Sequence, residues 1–194
     1  MTDHGYSAED DPYCYRGTNC LKNKAGIREV DRLEAFEHEM VSVRGEEPLP
    51  RGGFTPAHYM RVHRHLFQDV YSWAGRPRTV RISKGGNSFC FPEHIGTQLE
   101  LLFRSLSGPG FQKGAEFEEF VDALSSFIEG LNAVHAFREG NGRAQLAFTF
   151  LLSRHAEHPL DLARIQPEHF LRAMIASFGG DLVPLRRELT QLRI

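Results

Sequence analysis

A chain of 194 residues with a net charge of −2 and a pI near 6.6 has no basic excess, which excludes the usual electrostatic signature of a nucleic-acid-binding domain. Apolar residues at 41% and charged residues at 25% suffice for one sizeable core and exclude disorder over the whole chain. No apolar run approaches the roughly 20 residues of a membrane span. Cys14, Cys20 and Cys90 show no metal-type pairing; a Cys14–Cys20 bridge is one reading of them, and free thiols in a reducing cytoplasm are the simpler expectation.

Residues 1–10 are acidic and polar, and are expected to form a flexible tail rather than a secretory signal. Asp11 to Asn23 reads as an ordered loop with aromatic anchors at Tyr13 and Tyr15. Val30, Leu33 and Phe36 or Glu37 recur at helical spacing and predict a helix over 28–43, ended by the Pro/Gly-rich stretch from Gly45 to Gly53. Thr55 followed by Pro56 is a helix start, with a hydroxyl at the N-cap and proline at the first helical position. Thr79 to Ile82 alternates, Lys84 to Asn87 is turn-rich, and Ser88 to Phe91 returns, which predicts a β-hairpin. Pro92 opens a further helix. Phe117, Phe120, Val121, Leu124, Ile128 and Leu131 then mark a long helix, and His135 continues their row. After a polar turn from Arg138 to Gly142, Arg143 to Arg154 is apolar on nearly every face and is expected in the middle of the domain. Pro167 to Phe178 and Val183 to Leu192 close the chain as helices. The expected architecture is all-α, a helical bundle with a small hairpin near one end.

The turn between the two central helices carries the chemistry. Gly140, Asn141 and Gly142 tolerate positive φ or let a ligand come close to the backbone. The first amides of the helix that follows have no internal acceptor and lie at its positive end, a combination that binds phosphates. Arg143 adds a cation where one is unfavourable unless an anion meets it. Glu139 at the mouth of the turn suits a divalent metal, magnesium above all, bridging to phosphate oxygens. His135 titrates near neutrality and suits a general base acting on a hydroxyl. Taken singly, each has a plainer reading. A histidine at a helix end is usually a cap, Gly-Asn-Gly is usually a helix–helix turn, Glu139 alone is a solvated carboxylate, and Phe137 is a core anchor on any reading. Their ordered combination points to phosphate-transfer chemistry.

The string His135-x-Phe137-x-Glu139-Gly140-Asn141-Gly142-Arg143 resembles the signature of the Fic family, His-x-Phe-x-(Asp/Glu)-Gly-Asn-Gly-Arg-x-x-Arg. Asp11-Pro12-Tyr13, Leu21 to Lys24, Tyr71 to Gly75 and Ile82 to Gly85 resemble further segments of that family in the same order. The resemblance implies a single Fic domain over residues 11–194, a Fic-type helical bundle whose hairpin is a flap. It implies a protein adenylyltransferase that moves AMP from ATP to a Tyr, Thr or Ser hydroxyl of a target protein and releases pyrophosphate. In that scheme His135 is the general base and Glu139 the Mg2+ ligand. Gly140, Asn141 and Gly142 form the anion hole, Arg143 holds the β-phosphate side of the nucleotide, and Phe137 anchors the loop. Ile82, Ser83, Lys84 and Gly85 lie in the flap that holds the target as an added strand. A bacterial toxin or effector is implied, restrained by a separate small antitoxin protein, resident in the bacterial cytoplasm or delivered to a host cell, with neither nucleic acid nor membrane as partner.

The sequence departs from that pattern at Leu146, where the family has a second arginine that grips the γ-phosphate. Two readings follow. The chain transfers a nucleotide with altered triphosphate binding or a different donor, helped by an arginine from elsewhere such as Arg186 or Arg187, or it is a catalytically weak nucleotide-binding module. Ser125 to Gly130 matches the family's inhibitory pattern, but it lies inside the long helix leading into the motif and is read as coincidence. A P-loop NTPase is excluded by the missing Gly-Lys-(Ser/Thr).

Overall fold

The computed structural model describes residues 11–84 and 87–194. The expected tail over residues 1–10 and Gly85 of the expected flap lie outside the described residues. Seven α-helices are present among them: α1 (Val30–Glu46), α2 (Pro56–Phe67), α3 (Ile95–Arg104), α4 (Phe117–Val134), α5 (Asn141–His155), α6 (Pro167–Phe178) and α7 (Val183–Gln191). Two short antiparallel strands, β1 (Ser83–Lys84) and β2 (Asn87–Ser88), pair Ser83 with Ser88 and Lys84 with Asn87. The fold is therefore all-α with a small hairpin, and no described helix is long and apolar enough to cross a membrane. All three cysteines are free thiols.

Helix α4 is the hub, packing against α3, α5, α6 and α7, while α2 lies between α1 and α5. Its apolar row Phe117, Phe120, Val121, Leu124, Ile128 and Leu131 is buried along the whole length. The start of α2 follows the local rule, with the Thr55 hydroxyl accepting from the His58 amide at 3.3 Å and Pro56 at the first position.

Three expectations need correction. His135 does not continue the α4 row. It caps the helix in the left-handed region (φ 46°, ψ 61°), its amide still donating to Leu131 O at 2.9 Å. A non-glycine residue held there costs roughly 1 to 3 kcal/mol, so surrounding contacts must fix it. The hairpin is shorter than the alternation suggests, because its flanks bond elsewhere. The Arg78 guanidinium takes the carbonyls of Val80 (2.7 Å) and Cys90 (2.5 Å), and the Cys90 amide donates to Ala133 O (3.1 Å). Finally, α5 is not buried all round. Its inner face mixes Ala144, Phe148 and Leu152 with buried Asn141, Gln145, Thr149 and Ser153, whereas Phe150 is exposed and Arg143, Leu146 and Ala147 are half-buried. The outer stripe thus runs Arg143, Leu146, Phe150 at helical spacing.

Candidate active site

The turn from His135 to Asn141 is built from the inside. Phe137 is fully buried, its ring stacked on His63 (centroids 3.7 Å apart) and tilted against Tyr59 (5.2 Å). The Asn141 side chain clamps the same residue from both sides: Oδ1 accepts from the Phe137 amide at 2.9 Å and Nδ2 donates to the Phe137 carbonyl at 2.8 Å. Sequence reasoning placed Asn141 among the groups facing a bound anion. Its buried side chain is instead spent inside the turn, leaving only its backbone amide at the start of α5.

The two glycines differ. Gly140 has φ 81°, and a Cβ there would fall 2.3 Å from Phe67 Cζ, so backbone and packing both require glycine. Gly142 lies in ordinary helical conformation, and a Cβ there would meet nothing within 4 Å. Glycine is disfavoured in a helix relative to alanine, by up to about 1 kcal/mol in an interior and less in the first turn, and no side chain packs against this position. The first α5 amide bonded within the helix is that of Ala144, donating to Gly140 O at 3.0 Å. The amides of Asn141, Gly142 and Arg143 precede it at the positive end of the helix dipole.

His135 is 7% exposed. Its Nδ1 lies 3.3 Å from Asn132 O, and since a carbonyl only accepts, Nδ1 carries the proton and Nε2 the lone pair. Phe89, just past β2, stacks on the imidazole at 3.9 Å and in turn meets Phe178 of α6 edge-on at 5.7 Å. Burial pushes the His135 pKa down to about 3; the carbonyl bond to Asn132 opposes this, while Arg78 and Lys84 add to it. The ring is neutral throughout the physiological range.

Four carbonyls converge on the buried Arg78: His135 O (2.8 Å), Val80 O, Cys90 O and Val134 O (3.3 Å). One guanidinium thereby fastens both flanks of the hairpin to the left-handed turn at His135. The flap residues divide accordingly. Ile82 is 3% exposed and packs inward, whereas Ser83 is half-buried and Lys84 exposed.

Glu139 is half-buried, its Oε1 accepting from the Gly140 amide at 2.8 Å and lying 3.5 Å from Arg143 Nη2. Burial first, then the neighbouring Glu37, raise its pKa above the ordinary carboxylate value. Its carbonyl accepts from His63 Nε2 at 2.9 Å, while His63 Nδ1 accepts from the Gly75 amide at 2.9 Å. Burial lowers the His63 pKa to about 3. Arg143 meets its compensating charge inside the protein: Nη2 lies 2.5 Å from Glu37 Oε1 on α1, and the guanidinium carbon sits 4.7 Å from the Phe67 ring centre. The Tyr71 hydroxyl donates to Glu37 Oε2. Arg138 forms a buried ion pair with Asp11 at 2.6 Å, fastening the N-terminal loop to the motif. Arg186, considered as a substitute phosphate ligand, is instead paired with Asp122 of α4.

Glu37, Tyr71, Arg78, Asp11 and His63 were missed as site residues by sequence reasoning. Glu37 carried a signal, since a carboxylate at an apolar position of an amphipathic helix asks for a buried cation. Glu139, Gly140 and Arg143 meet at the start of α5, with Gly142 between them in the chain, while His135 closes α4 just before the turn.

A helical bundle with this turn at its centre belongs to a recognised class of proteins. Residues 53–153 match the Fic/DOC family. Over 188 residues the chain is 45% identical to a probable protein adenylyltransferase of Sinorhizobium fredii, covering 96% of this chain and 98% of that protein. It superimposes on the crystal structure of the VirB-translocated effector BepC of Bartonella tribocorum with bound AMPPNP (TM-score 0.83, 26% identity, 94% and 96% of the two chains). It also superimposes on an N-terminal Fic domain from Bartonella quintana with bound ADP (TM-score 0.85, 25% identity, 94% of each chain). The chain is a member of the Fic/DOC family.

Proposed function

We propose that this chain is a protein adenylyltransferase that moves AMP from ATP to a Tyr, Thr or Ser hydroxyl of a target protein, with residues 11–194 acting as one Fic unit. The observation that carries the reading is Gly142. The helix end beside His135 is kept bare on its outer side at a cost in helix stability, with Arg143 at its rim. Relatives named as adenylyltransferases, and neighbours solved with AMPPNP and ADP, support it.

In this reading the target's hydroxyl oxygen attacks the α-phosphorus and His135 Nε2 accepts the hydroxyl proton. The bond from the α-phosphorus to the oxygen bridging the β-phosphate breaks, and pyrophosphate departs. The amides of Asn141, Gly142 and Arg143 hold phosphate oxygens, with Arg143 on the β-phosphate side. Glu139 fits a magnesium ligand: it is a hard oxygen donor at the anion-binding helix end. No cluster of three or more His, Cys, Asp or Glu stands among the described residues, so the ion would complete its shell with phosphate oxygens and water, as magnesium does. Bound there it would neutralise phosphate charge. The exposed side of β1, at Ser83 and Lys84, offers the edge to which a target segment adds as a strand. Release from a small antitoxin protein, and residence in the bacterial cytoplasm or delivery to a host cell, complete the reading; the neighbour BepC is a VirB-translocated effector.

A second reading is favoured by Leu146. It stands half-buried on the same outer stripe as Arg143, where an arginine would reach a third phosphate and a leucine offers no hydrogen bond. It holds that the donor is another nucleotide, or that transfer is weak. The purified chain with magnesium and α-labelled ATP in a bacterial lysate, beside His135→Ala, tests both. A labelled protein band that needs His135, absent with γ-labelled ATP, is the expected result. A band with another α-labelled nucleotide only would establish the second reading, and silence with every nucleotide would sink transferase activity.

A further inference from the structure

The carboxylate nearest Arg143 comes from α1, more than one hundred positions earlier in the chain. Both of its oxygens are committed, Oε1 to Arg143 Nη2 at 2.5 Å and Oε2 to the Tyr71 hydroxyl, whose ring is stacked on Trp73 at 4.3 Å. Exposure is unequal across the contact: the Glu37 side chain is 10% exposed and Tyr71 is buried, while the Arg143 side chain is 37% exposed. The carboxylate is the fixed member and the guanidinium the one that reaches outward. With one edge on Glu37 and one face over Phe67, Arg143 has little rotamer freedom left. A guanidinium has five N–H donors, and both nearby carboxylates address Nη2, so the donors on Nη1 and Nε are those an incoming phosphate takes.

We infer that Glu37 is a positioning residue of the nucleotide site: from α1 it holds Arg143 in the orientation that grips the second phosphate of the donor. The inference rests on the assignment of Arg143 to that phosphate. A cation in the first turn of a helix is repelled by the dipole and, unheld, swings into solvent. Glu37 supplies the counter-charge before any nucleotide arrives, so less side-chain freedom is lost when one binds.

The test is calorimetric titration of ADP and of AMP, with magnesium, into the wild-type chain, E37Q, R143A and E37Q/R143A. Glutamine keeps the shape and still accepts from Tyr71, but removes the charge that holds Arg143. E37Q is expected to weaken ADP roughly fivefold to tenfold, a loss within the range of pairwise coupling between touching residues, and to leave AMP within about twofold. In the R143A background E37Q is expected to add nothing. Tighter ADP binding by E37Q would make Glu37 a competitor of the phosphate and overturn the inference. Equal losses for ADP and AMP, or a loss undiminished in R143A, would overturn it by making the role purely structural. If E37Q is not folded at the titration temperature, E37D decides: the charge withdrawn by one methylene must weaken ADP selectively, and unchanged ADP binding refutes the inference. R143A losing ADP affinity while E37Q does not overturns this inference alone, whereas R143A binding ADP like wild type overturns the Arg143 assignment as well.

Discussion

Phe89 lies flat on His135, with ring centroids 3.9 Å apart and planes 18° from parallel, so the flap covers the imidazole it adjoins. The stack explains why a histidine beside an open helix end is buried and weakly basic. Phe89→Ala would rehydrate the ring, and the His135 pKa would rise from about 3 toward its ordinary value of 6.5. The expected outcome is an acid limb of the transfer rate that moves up in pH by more than one unit, with the imidazole shift followed by NMR. An unchanged limb would mean that Phe89 does not control the environment of His135.

Acid stability carries the same signature. His63 and His135 have folded pKa values near 3 against 6.5 in the unfolded chain, so the unfolded state binds more protons between those limits. Stability from each is fully present above pH 6.5 and is lost as pH falls toward 3, about 2 kcal/mol apiece by pH 5. Glu139, with its raised pKa, acts in the opposite sense. Urea unfolding at pH 7 and pH 5 should therefore show a loss that shrinks by about 2 kcal/mol in His135→Gln. A loss of the same size in the variant would refute the burial assigned to His135.

Much of this was legible from the sequence, and the reason is range. His135 to Arg143 is one local string, and a turn between two helices brings its members together whatever surrounds them. The helix starts at Thr55-Pro56 and Pro167 were equally local, and Pro92 opens a 3-10 turn that leads into α3. What stayed hidden was set by pairing across the chain. Asp11 meets Arg138 and Glu37 meets Arg143 only after α1, α2 and α5 have packed. The short hairpin and the left-handed His135 share one cause, Arg78, whose four carbonyl acceptors follow no periodicity. The polar inner face of α5 was misjudged because Gln145, Thr149 and Ser153 sit inward while Phe150 faces out.

The two glycines of the motif should separate under substitution. Gly140→Ala forces a Cβ onto the Phe67 ring at positive φ and is expected to cost more than about 2 kcal/mol of stability. Gly142→Ala meets no protein atom and is expected to raise stability by up to about 1 kcal/mol while weakening nucleotide binding. Thermal unfolding and ADP titration on the two variants check the pair. Destabilisation by Gly142→Ala would remove the argument that its open side is reserved for a ligand.

Asn141→Ala leaves the buried amide and carbonyl of Phe137 without partners. At about 1 to 3 kcal/mol for each unsatisfied group, the loss should be about 2 to 6 kcal/mol, read by denaturant unfolding. Asn141→Asp keeps the acceptor for the amide but sets a carboxylate against the carbonyl, and it should not recover the loss. Wild-type stability in either variant would show the clamp to be dispensable.

Trp73 is the only tryptophan in the chain. Its indole stacks on Tyr71, meets Tyr13 edge-on at 5.4 Å and tilts over His63 at 6.1 Å. Through those three rings it adjoins the Glu37–Arg143 pair, the loop fastened by Asp11, and the carbonyl of Glu139. The protein thus carries its own optical reporter: a nucleotide bound at Arg143, as in the function proposed above, and detachment of the N-terminal loop would both alter the surroundings of a single fluorophore, readable without any attached dye.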